Sequence, residues 1–133
     1  MNPSIANLQG VYLAYPTSPE LKSIYKAKDY KTKVNNQHTK IGKADSSFAN
    51  AMSRYTSSFD GEIKFVPIAS VDKQAIEIVE ASIKKEMNSR FKRLGRAREW
   101  FDTDDRKQVR DVILQVIINA GVSYTVLTTA EQL

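Results

Sequence analysis

The side chains able to do chemistry in this chain are few in kind. There is no cysteine and a single histidine, His38. Thiol catalysis, disulfides, thiolate metal sites and paired-histidine chemistry are therefore excluded. Among the groups that remain, phenol, ammonium, guanidinium and carboxylate can move protons, hold phosphates and bind hard cations. Tyr12 lies in the short β-rich run Val11-Tyr12-Leu13-Ala14-Tyr15, bounded by Gly10 and Pro16. Lys40 lies in a second such run, Thr39-Lys40-Ile41-Gly42-Lys43, where Gly42 allows a close backbone approach or a bulge. Arg54 falls on a helix predicted over about 47–57, capped by Ser46 or Ser47, with Phe48, Met52 and Tyr55 on one face.

Two carboxylates, Glu77 and Glu80, follow on a longer helix predicted over about 73–92 and opened by Asp72. Helical geometry separates them. At about 100° per residue, Ile76, Val79, Ile83, Met87 and Phe91 form a stripe within roughly 60° either side of Ile76. Glu80 lies about 40° from the centre of that stripe, and Glu77 about 100° away, on its margin. An inward carboxylate is costly unless paired or metal-bound. Glu80 is thus the stronger candidate for a buried functional acid.

Further elements must position these groups. Glu62 to Ile68 alternates as a third strand after an Asp60-Gly61 turn, with Pro67 placing it at an edge or an end. Residues 93–98 are basic and contain Gly95, a predicted break. Thr103, with Asp104 and Asp105, caps a last helix over about 104–119 that carries Val109, Val112, Ile113, Val116 and Ile117 and ends near Gly121. Val122 to Leu127 reads as a short strand or docking segment. Residues 16–38 are polar and Lys-rich, an insertion or long loop with a short helical turn near Leu21 to Tyr25. The order β-β-α-β-α-α indicates a small α+β domain.

The 133 residues amount to one domain, 1–133. The net charge of +5 is unevenly spread. Residues 21–43 hold Lys22, Lys26, Lys28, Lys31, Lys33, Lys40 and Lys43 against Asp29 alone. Residues 81–98 hold Lys84, Lys85, Arg90, Lys92, Arg93, Arg96 and Arg98 against Glu86 alone. Such clustering is the footprint of a polyanion partner, or else a pair of solvated surfaces. Tyr25 and Tyr30, among the lysines, could stack on bases or cover a core edge. No apolar run reaches the roughly 18 residues of a membrane span, and no secretory signal opens the chain. A soluble, cytoplasmic protein is expected.

Gly10-Val11-Tyr12, Lys40-Ile41-Gly42-Lys43, Ala51 with Arg54-Tyr55, the carboxylate helix and Glu99-Trp100-Phe101 together resemble the GIY-YIG nuclease family. The likeness is greatest to the phage and mobile-element branch that closes with Glu-Trp-Phe, and runs from about Gly10 to residue 115. Two features depart from the family pattern. Lys40 stands where the second triplet has tyrosine, and the Lys-rich insertion lengthens the connection between the triplets.

The resemblance implies a three-stranded antiparallel sheet flanked by helices and a Mg²⁺- or Mn²⁺-dependent endonuclease that cuts or nicks DNA, expected to be double-stranded. For a phage protein the compartment is the host cytoplasm. Phosphodiester hydrolysis needs a base, a cation at the non-bridging oxygens and relief of charge on the leaving alkoxide. Tyr12 would be that base or relay to one, with Lys40 favouring its phenolate. Arg54 would hold phosphate, and Glu80 the metal. Lys43, Arg93, Arg96 and Arg98 would meet nucleic acid. The oligomeric state is open, a homodimer being one source of site preference.

Plainer readings stand beside these. Tyr12 can be core packing, Lys40 a solvated strand lysine, and Arg54 the partner of Asp60 or Glu62. Glu80 can be satisfied by Arg54 or Lys40 without metal. Trp100 and Phe101 read as core anchors, and His38 as a solvated loop residue. The rival function is a catalytically inactive nuclease-like module that binds nucleic acid; a structural or inhibitor protein is a weaker third.

Overall fold

The computed structural model describes residues 1–19, 34–59, 62–94 and 99–133, without the side chains of 56–59. The Leu21 to Tyr25 turn, Tyr25, Tyr30 and most of the first lysine cluster lie outside the described residues, as do the Asp60-Gly61 turn, Gly95, Arg96 and Arg98. After a short helix α1 (Pro3–Ala6) come β1 (Gly10–Pro16), β2 (Thr39–Ala44), α2 (Phe48–Phe59), β3 (Ile63–Val71) and α3 (Lys73–Arg90). Then follow β4 (Trp100–Phe101), α4 (Arg106–Ala120), β5 (Tyr124–Val126) and a 3₁₀ turn at Ala130–Gln132. The class is α+β, as the element order indicates.

The sheet, however, has five antiparallel strands in the order β4-β2-β1-β3-β5, not three. The additional strands are two and three residues long. Strands that short carry no periodicity of their own and exist because β2 and β3 offer them an edge.

Both faces of the sheet are buried, which explains the dense apolar runs in β1. Val11, Leu13 and Ile41 pack with Ile76, Ile83 and Met87 of α3 and Val109, Ile113 and Ile117 of α4. Tyr12, Ala14 and Ala44 form the other layer, with Phe48, Ala51 and Tyr55 of α2 and with Trp100. Trp100 and Phe101 are fully buried anchors, one in each layer.

Pro67 does not end β3, which continues to Val71. Val11 pairs with Ala69 whereas Tyr12 pairs with Pro67, so Ile68 is an extra residue that bulges the strand. The missing proline N–H is tolerated at such an irregularity. The bulge also inverts the alternation, so that Val66, Ala69 and Val71 all serve one layer.

The helix ends follow local chemistry with one change. Asp105, rather than Thr103, is the N-cap of α4, its carboxylate accepting from Gln108 N at 3.0 Å. Gly121, at φ 69°, closes that helix in the left-handed region that costs glycine least. Arg106, at the start of α4, clasps the stem of the 16–38 insertion. Its guanidinium donates to Asn36 O at 2.7 Å, His38 O at 3.0 Å and Thr39 Oγ1 at 3.1 Å, and lies 4.0 Å from the Tyr15 ring centre.

Candidate active site

β1 and β2 place Tyr12 directly beside Gly42. A Cβ on Gly42 would fall 2.3 Å from the Tyr12 ring and hydroxyl, so the phenol needs glycine on the neighbouring strand. The ring lies 4.4 Å, centre to centre, from Phe65, and its hydroxyl is 2.8 Å from that of Tyr55. Tyr55 comes from α2, one residue after the exposed Arg54.

Helix α3 brings in Glu80, and the predicted phase is the observed one. Glu80 is 7 % exposed in the core-facing stripe. The Glu77 side chain is 87 % exposed and pairs with Lys43 Nζ at 3.6 Å. The contact of Glu80 is with neither Arg54 nor Lys40 but with Lys84, one turn further along α3, at 3.2 Å. Lys84 reaches Glu99 as well, at 2.9 Å. Glu99 in turn holds Lys40, whose Nζ is 3.3 Å from its Oε2 and 4.8 Å from the centre of the Tyr55 ring. The result is a chain of alternating charge, Glu80–Lys84–Glu99–Lys40, ending over the ring of Tyr55, whose hydroxyl pairs with that of Tyr12.

The electrostatics of this chain differ from the expectation for a lysine-stabilised phenolate. Burial pushes the Tyr12 phenol up; the Tyr55 hydrogen bond and Arg54 oppose it, Glu99 and Glu80 add to it, and the result is about 12. Burial also raises Tyr55 strongly. Arg54 is thus a cation that favours the Tyr12 phenolate, while Lys40 is engaged by Glu99. Burial lowers Lys40 in spite of that carboxylate. Burial would raise Glu99, but the two lysines outweigh it and hold the carboxyl below its ordinary range. Lys84 moves upward, its two carboxylate partners overcoming its own burial.

Glu99, Tyr55 and Lys84 are the members that reasoning from sequence left without a role. The signal for Lys84 was its spacing, four residues beyond an inward glutamate. Glu99 precedes a two-residue strand and has no periodic signature.

Other candidates lie elsewhere. Arg93 is exposed and bridges to Phe101. His38 is not solvated: its side chain is largely buried, Nδ1 accepts from Asn35 N at 3.0 Å, and Nε2 is 3.8 Å from Asp102. Burial lowers its pKa, with Asp102 opposing. Among the described residues no group of three His, Asp or Glu side chains is arranged to cage a metal, and no helix is long and apolar enough to cross a membrane.

No curated protein and no solved structure matches the chain. The model of one family, the T5orf172 domain, matches residues 14–117. That span includes Lys40, Arg54, Glu80, Lys84 and Glu99 and begins two positions after Tyr12. Since the match covers well over half of the 133 residues, this chain belongs to the T5orf172 domain family, a phage-associated domain found in nuclease-like proteins.

Proposed function

We propose that the chain is a metal-dependent DNA endonuclease of GIY-YIG type, encoded by a phage or mobile element and acting on double-stranded DNA. The observation that carries this reading is the buried Glu80 carboxylate, in one charged cluster with Lys40 and Glu99 and beside the Tyr12–Tyr55 pair. Its donor set suits Mg²⁺ or Mn²⁺, which need only one or two carboxylates and keep several waters, and does not suit a cation that demands a full protein cage. Glu80 would hold the ion, which when bound supplies charge for the phosphate oxygens and acidifies water.

The protein's own groups divide the remaining work. Arg54 is exposed and presents its fork to a phosphate. Tyr12 is protonated at neutral pH, so it serves as a hydrogen-bond donor rather than as the base, and the proton of the attacking water passes to solvent. Lys40, its affinity for protons reduced by burial, is suited to neutralise the leaving alkoxide. The ion pairing of Glu80 with Lys84 favours one competing reading, a nucleic-acid-binding module without turnover. Supercoiled plasmid separates the two. With Mg²⁺ or Mn²⁺ the chain should convert it to nicked or linear product, and EDTA should stop the reaction. No product with either metal would give the lead to the binding module.

A further inference from the structure

Lys84 stands where a second cation would be felt most by Glu80. Its ammonium is 3.2 Å from one Glu80 oxygen and 2.9 Å from Glu99. A divalent cation on the largely buried Glu80 carboxylate would repel the ammonium beside it at short, weakly screened range, more strongly than the two monovalent lysines on the more exposed Glu99 repel each other. The geometry points to Lys84 as a resident counter-ion that occupies Glu80 until a divalent cation displaces it, with Glu99 retaining the displaced ammonium.

This inference rests on the assignment of Glu80 as metal ligand. It adds that metal affinity is set by exchange between an internal and an external cation. Glu99 is the element that makes exchange feasible. A lysine expelled from its only carboxylate would be left half-buried without a counter-charge, whereas Lys84 already shares Glu99 with Lys40. Lys84 is accordingly a positioning residue: it acts through Glu80.

The test is Mn²⁺ binding by calorimetry on the full chain without DNA. Lys84→Met removes the competing ammonium and should tighten Mn²⁺ by about tenfold or more. Lys84→Arg keeps a cation in place and should remain near wild type. Mn²⁺ should also raise the melting temperature of Lys84→Met more than that of wild type. If Lys84→Met weakens Mn²⁺ or leaves it unchanged while Glu80→Gln abolishes binding, Lys84 is a structural support and the exchange is refuted, although the ligand assignment stands. If Glu80→Gln binds Mn²⁺ as wild type does, or if neither wild type nor Lys84→Met binds it, the assignment itself fails and the exchange with it. Should Lys84→Met not fold, Lys84→Gln provides the same comparison, and its failure to bind more tightly is equally decisive.

Discussion

At Tyr12, burial and two glutamates act against Arg54 and the hydrogen bond with Tyr55, and the former prevail. The consequence appears at alkaline pH. An unfolded tyrosine ionises near its ordinary value of about 10, whereas the folded phenol holds its proton to about 12. The stability this contributes is complete below pH ~10 and lost as pH rises towards ~12, at most about 2–3 kcal/mol. Tyr12→Phe lacks that loss. The stability advantage of wild type over Tyr12→Phe should therefore shrink across this window in urea titrations, and a constant difference would show that Tyr12 is not held protonated. Because Lys40 is committed to Glu99, replacing it leaves that charge free to raise the Tyr12 pKa further, so the pH–rate profile of Lys40→Met should move upward.

Helix α3 gives the sharpest prediction at the level of elements. Glu80→Gln keeps shape but loses the charge proposed to hold the ion, so cleavage should fall by orders of magnitude while DNA binding survives. Glu77→Gln alters only an exposed pair with Lys43 and should change cleavage by less than about twofold. The reverse ranking in plasmid assays would transfer the ion to Glu77. This contrast was legible in the sequence because an 18-residue helix repeats its period several times. That the two triplets lie on adjacent strands was legible, but the register that sets Tyr12 against Gly42 was not. A short strand within Val122 to Leu127 was one of two readings there and is β5; β4 was not legible, since its pairing is decided by distant partners. Neither was the bulge at Ile68, which turned an apparent strand end at Pro67 into a phase change. Glu99 stayed hidden for the same reason as β4: its position is set by β2, whose Ile41 N–H donates to its carbonyl at 3.0 Å.

Across the chain as a whole, charge would govern the proposed encounter with DNA. Fourteen of the twenty lysines and arginines fall in two segments. Several are partly committed within the protein: Lys40 and Lys84 to Glu99, Lys43 to Glu77, Arg90 to Glu86. Arg93 is exposed. DNA affinity should fall steeply with salt as phosphate counter-ions are released. Neutralising Arg93, Arg96 and Arg98 together should reduce the log–log slope by roughly 3 at most. An unchanged slope in binding titrations would place this segment away from the duplex.

The Arg106 clasp separates the architecture of the sheet from whatever lies between its first two strands. Tyr15 on one side and Asn36, His38 and Thr39 on the other are gathered by a single guanidinium. The ends of the connection are thereby fixed by α4, and closing a loop between fixed ends costs only about 0.6 kcal/mol per doubling of length. The stem is in effect a socket that holds both ends of the connection. Replacing residues 20–33 with a short Gly/Ser linker should change the loop-closure cost, as read by urea titration, by less than about 1 kcal/mol, and because it removes Lys22, Lys26, Lys28, Lys31 and Lys33 it should weaken DNA binding and lower its salt dependence. Arg106→Ala should be the more damaging change, measured in the same urea titration, because it opens the socket rather than emptying it.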